Sequence, residues 1–101
     1  MANLIIVYWR DIPAQVIVKQ GRTAAKRELP ERFVTSIDAA AMKAGARDTD
    51  SYLADWRRAD PVTVGDDLEA EAAAWAAKLE AEYPQDRLVA LAKASGYEEQ
   101  N

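Results

Sequence analysis

Two short apolar runs, Leu4 to Trp9 and Ala14 to Val18, separated only by Arg10-Asp11-Ile12-Pro13, constrain this chain more than anything else in it. Both runs are rich in β-branched residues. A proline among charged residues interrupts the pairing ladder and lets the chain reverse. The stretch Asn3 to Gln20 therefore predicts a β-hairpin on which the remaining elements are arranged. Its first run does not alternate, which fits a strand covered on both faces or one whose outer face meets another molecule. In the second, Val16 and Val18 share one face while Gln15, Ile17 and Lys19 share the other, so its end is expected to be partly solvated.

Gly21 offers a permissive backbone for leaving the sheet. Beyond it, TAAKREL is expected to form a short helical turn that breaks before Pro30. A helix is predicted from Pro30 to Ala44, with proline at its first position, Glu31 at the positive end of the dipole, and Phe33, Ile37, Ala40, Ala41 and Ala44 at helical spacing. Gly45 is placed to end it in a left-handed conformation. Thr49 or Asp50 then caps a short helix, with Tyr52, Leu53 and Trp56 on one face and Pro61 as its limit. Pro61 to Gly65 reads as a third strand at a sheet edge, or alternatively as a hinge.

Asp66 and Glu69 have the spacing of an N-cap and its capping-box partner, opening an alanine-rich helix through Tyr83 whose buried stripe is Leu68, Ala72, Trp75, Ala76 and Leu79. Pro84 ends it, a last helix carries Leu88, Leu91 and Ala92, and Gly96 precedes a frayed tail. The order β-β-α-α-β-α-α predicts an α+β domain, a small, mainly antiparallel sheet (the hairpin plus a short third strand) covered by about four helices. One domain is expected over 1–101, with 1–65 as sheet-and-helix core and 66–101 as a C-terminal helical hairpin.

With 101 residues, no Cys and no His, the chain has no disulfide framework, thiolate metal site, Cys nucleophile or His-assisted serine chemistry. No Lys or Arg precedes Arg10 and the N-terminal apolar run is six residues long, so neither a secretory signal nor a membrane span is expected and the location is read as cytoplasmic. Residues 1–47 hold eight Lys/Arg and four Asp/Glu, and residues 48–101 hold five and thirteen. The halves are thus +4 and −8, an asymmetry that bears on partners.

Candidate sites follow from residue type. Asp48-Thr49-Asp50 opens like a calcium loop, but Tyr52 stands where an oxygen ligand is needed and the turn glycine and closing glutamate are missing, so capping explains it and no metal is assigned. Lys19, Arg22 and Arg27, with Lys26 and Arg32 nearby, could hold a phosphate or carboxylate. A solvated face is the competing reading, because no Gly-rich phosphate loop accompanies them. Nucleic-acid binding is disfavoured by the acidic balance and by aromatics that fall on apolar stripes. Tyr8, Arg10, Asp11 and Arg57 are the most distinctive group: Trp, Tyr and Arg together have interface character, and these four are expected to form a protein-partner surface at one end of the hairpin. The competing reading makes Trp9 and Trp56 core with arginines at its rim.

The run VYWRDIPAQVIVK, followed by GR, LPERF, IDAAAMKAG and YLADWRR, resembles the small bacterial family called "virulence factor", over roughly Leu4 to Arg58. That resemblance supplies no established catalytic residue, cofactor or substrate to carry over. It implies a companion of one-carbon and corrinoid-linked methyl-transfer enzymes. The expectation is a non-catalytic accessory or interaction domain with a protein partner, self-association remaining open, and with a small-anion-binding domain as the alternative.

Overall fold

The computed structural model describes residues 2–45 and 49–97, and its first two strands, β1 (Ala2–Trp9) and β2 (Ile12–Gln20), form the expected hairpin. The turn is tighter than the sequence suggests. Only Arg10 and Asp11 connect the strands, and Arg10 takes φ 55°, the positive value that primed hairpin turns need to match strand twist. Ile12 and Pro13 belong to β2, opposite Trp9 and Tyr8. A register shift leaves Ala14 without a cross-strand partner, and this bulge admits a proline inside a paired strand. The Ala14 carbonyl accepts instead from the Leu29 N–H at 3.1 Å.

The segment expected to be helical after Gly21 is a third strand, β3 (Thr23–Glu28), paired with β2 from Gln20↔Thr23 to Gln15↔Glu28. Ala, Lys, Arg and Glu favour helix, but six residues cannot nucleate one alone, whereas a turn through Gly21 at φ 61° puts them beside a ready-made ladder. Ala25 is buried in the middle of exposed neighbours.

Helix α1 (Glu31–Ala44) starts one residue later than expected, since Pro30 at ψ 159° is its N-cap and not its first helical residue, and it ends at Gly45, which is left-handed as expected. Helix α2 (Thr49–Ala54) is shorter than the Tyr52, Leu53 and Trp56 stripe requires. Leu53 is exposed, and Trp56 opens a strand, β4 (Trp56–Arg58), beside Val7 to Trp9 of β1. Pairing with β1 gives Trp56 more than another half-turn of helix would, since Tyr52 still lies between Trp9 and Trp56, 5.9 Å from each ring. Thr49 and Asp50 are inside α2; the position before it, and with it Asp48 of the Asp48-Thr49-Asp50 run, lies outside the described residues, as does the tail from Glu98.

Strand β5 (Val62–Val64) pairs with Ala2 to Leu4, on the same side of β1 as β4. Among the described residues the sheet thus has five strands, not three, all antiparallel, in the order β3-β2-β1-β4 with β5 also against β1. Helix α3 (Leu68–Glu82) lies across β2 and β3, and α4 (Gln85–Lys93) packs against α1. The cap of α3 is Asp67, which accepts from the Ala70 N–H at 3.2 Å. Asp66, expected in that role, instead accepts from Gln20 Nε2, and Glu69 faces Arg27 at 3.5 Å. The one-residue displacement follows from the geometry: a cap oxygen reaches the N–H three residues on, and Leu68 is already helical.

One buried cluster joins Leu4, Val16 and Val18 of the sheet to Phe33 and Ile37 of α1, Leu68, Ala72 and Leu79 of α3, and Leu88 and Leu91 of α4. The two helices beyond residue 65 do not pair as the expected hairpin: α3 packs on β2 and β3 and α4 on α1, so each joins the core of the sheet separately. Val7 and Ile17 point to the other face of the sheet, buried but outside that cluster. Among the described residues no helix is long and apolar enough to cross a membrane.

Candidate functional site at the hairpin turn

Strand pairing assembles the site. β4 sets Arg57 opposite Tyr8 and Trp56 opposite Trp9, so the turn at Arg10 and Asp11 is flanked by side chains from a segment about fifty residues away. The Arg57 guanidinium lies over the Tyr8 ring at 4.5 Å, its Nε donates to the Arg10 carbonyl at 3.0 Å, and its Nη2 is 3.4 Å from Asp11 Oδ1. Stacking and a fixed N–H fork hold a planar cation in one orientation, which lysine could not reproduce. Arg57 is nonetheless half exposed, so its second face is free to meet another molecule.

Arg10 is different. Its alternation with Tyr8 and Trp9 stops at the turn, because positive φ carries it out of the strand. The side chain runs inward: Nε and Nη2 donate to Asp55 Oδ2 at 3.1 and 3.0 Å, Nη1 donates to the Ser95 carbonyl at 2.7 Å, and the guanidinium stacks on Trp9 and Tyr97. The backbone repeats this arrangement, with Arg10 N–H donating to the Asp55 carbonyl and Asp11 N–H to the Gly96 carbonyl. Arg10 therefore ties the turn to α2 and to the end of α4. Tyr8, Asp11 and Arg57 remain as the outward part of the expected surface.

Those three residues border a shallow depression completed by Ala59 and Tyr83. On Tyr83 a second arginine stacks, Arg87 at 4.1 Å, while its Nη1 donates to the Glu82 carbonyl at 2.7 Å. Two Tyr–Arg stacks thus stand side by side, one from the sheet and one from the α3–α4 junction. Burial raises the Tyr8 phenol above its ordinary 10.0, and Arg57 opposes that rise. Sequence reasoning did not reach Asp55, Tyr83 or Arg87, since no local pattern relates residues 8, 55 and 83.

The cations grouped in sequence between Lys19 and Arg32 do not converge. Lys19 and Lys26 stand on one face of the sheet and Arg27 on the other, by strand alternation and register. Arg22 is in the β2–β3 turn, Arg27 meets Glu69, and Arg32 donates to the Glu80 carbonyl. Lys19, Arg22 and Arg27 therefore do not form a single anion pocket.

A family model described as "Virulence factor" matches residues 7–92. The chain belongs to this family. The match runs well past Arg58, so α3 and nearly all of α4 are part of the family's structure and not an appendage to it. No curated protein and no solved structure matches the chain.

Proposed function

We propose that this virulence-factor-family chain is a non-catalytic accessory protein that docks a protein partner through Tyr8, Asp11 and Arg57. The observation that carries the reading is the Tyr8–Arg57 stack with Asp11 alongside, a rigid aromatic and a preoriented guanidinium on the rim of a depression, which is the composition of an interface hot spot. Arg10 contributes by fixing the turn. The resemblance to companions of corrinoid-linked methyl-transfer enzymes makes such enzymes the first partners to try.

The test is affinity capture from the native host with the wild-type chain, followed by binding measurements on the purified partner. Tyr8→Ala and Arg57→Ala should each weaken that binding by about 2 kcal/mol; the Tyr8 truncation, at a half-buried position of an interior strand, should also lower the melting temperature, whereas Arg57→Ala should change it little. If both variants bind the partner as tightly as wild type, this end of the hairpin is not the docking surface. Arg10→Ala is unsuitable as a probe, because losing its ties to Asp55 and Ser95 would disturb the fold itself.

A further inference from the structure

A second surface lies away from the hairpin end. Helices α1 and α4 leave a groove of about 370 Å³ between them, lined by Thr35, Ala39 and Lys43 on one side and Val89, Ala92 and Lys93 on the other. Each set recurs at helical spacing, so the groove runs along both helices with a floor of small residues. Val89 is exposed, and Met42, one helical position from Lys43, is the most exposed large apolar residue among those described. Lys43 and Lys93 have no ion-pair partner among the described residues. Such a groove suits a helix that is narrow, apolar along one line and acidic at its borders.

The chain carries that helix. On the solvent side of α3, Ala70, Ala73, Ala74, Ala77 and Ala81 are all exposed and fall along one stripe by helical spacing. Glu69 and Glu80 border it on one side, and Glu71 and Glu82 with Lys78 on the other. We propose that the α1–α4 groove receives the outer face of α3 from a second copy of this chain. Size and charge both match: alanines let two helices approach closely, and the glutamates meet Lys43 and Lys93. Made twice about a two-fold axis, groove and ridge exchanged, the contact closes a dimer and does not propagate. The free edge of β3 offers no competing route, since Lys26, Arg27 and Glu28 blunt it against strand pairing.

Sedimentation equilibrium on the full chain tests this. The wild-type mass should exceed that of the 11.2 kDa monomer as concentration rises, and should fall again with added salt. Lys43→Glu with Lys93→Glu should be monomeric, as should Glu80→Lys with Glu82→Lys, whose side chains take no part in the seam between α3 and the sheet, each keeping the wild-type circular dichroism. An equimolar mixture of the two variants should assemble again, because each groove then faces a ridge of opposite charge in both halves of the dimer. Ala74→Arg, at the middle of the ridge, gives a second variant should either charge reversal fail to fold, and it too should be monomeric. A wild-type chain that stays monomeric up to ~1 mM, the weak end of specific association, overturns the proposal. So does an oligomer that survives all these substitutions, or a mixture that stays monomeric.

Discussion

Gly96 shows how much a single position holds in place. Its φ is +93°, and a β-carbon there would lie 3.0 Å from the Trp9 ring and 3.2 Å from the Arg10 side chain. The Gly96 N–H donates to the Leu91 carbonyl at 2.7 Å and its own carbonyl accepts from Asp11. Gly96→Ala would both strain the backbone and push against a fully buried indole, so it should cost about 2 kcal/mol or more. A fall in melting temperature of roughly 8–16 °C would show it in a domain of this size. An unchanged melt would mean that the α4 terminus does not close on Trp9.

Tyr8 gives a prediction in pH. Burial raises its folded-state pKa above the unfolded 10.0, so the folded chain keeps the phenolic proton over a range where the unfolded chain has lost it. The resulting stability is fully present below pH 10.0 and is lost as pH rises through the folded value. Tyr52 is shifted in the same direction, also by burial. Denaturant titrations from neutral to alkaline pH should therefore fall less steeply for Tyr8→Phe than for wild type. Parallel curves would show that Tyr8 is as hydrated in the folded chain as in the unfolded one.

Among the elements, the hairpin, α1, the edge strand β5 and both C-terminal helices were legible because each carries its signal locally: apolar period, proline position or a glycine stop. β3 and β4 were not. Thr23 to Glu28 has helix-forming composition and becomes a strand only because β2 presents an open ladder, a fact absent from its own residues. Trp56 to Arg58 likewise owes its extended form to Val7 through Trp9. The same distinction applies to the site. Tyr8, Asp11 and Arg57 were legible by residue type, whereas the inward course of Arg10 depends on Asp55 and Ser95, which nothing in the sequence connects to it. The cap of α3 was misplaced by one residue, and mutation discriminates the two aspartates: Asp67→Ala should cost about 1 kcal/mol of stability, and Asp66→Ala much less. Equal losses would contradict the bond from Ala70 to Asp67.

Across the whole molecule, the charge asymmetry of the two halves acquires a spatial meaning. The basic half supplies β2, β3 and α1, and the acidic half lays α3 across them, with Arg27 to Glu69, Gln20 to Asp66 and Arg32 to the Glu80 carbonyl along the seam. These exposed contacts add little stability individually. They orient α3 on the sheet while leaving its alanine side outward and the family's C-terminal helices joined to one core.

Because β1 comes first in the chain yet stands in the interior of the sheet, it has one neighbour early and the others late. β2 follows at once, but the strand that covers its opposite edge beside Val7 ends at Arg58, about fifty residues further on. At the usual pace of synthesis that interval is ~3–10 s. Throughout it, a nascent chain exposes an apolar strand with an open row of amide and carbonyl groups. The ribosome-bound protein is thus most vulnerable to aggregation before β4 has been made. Its first fifty residues alone should need a holding chaperone that the finished protein does not.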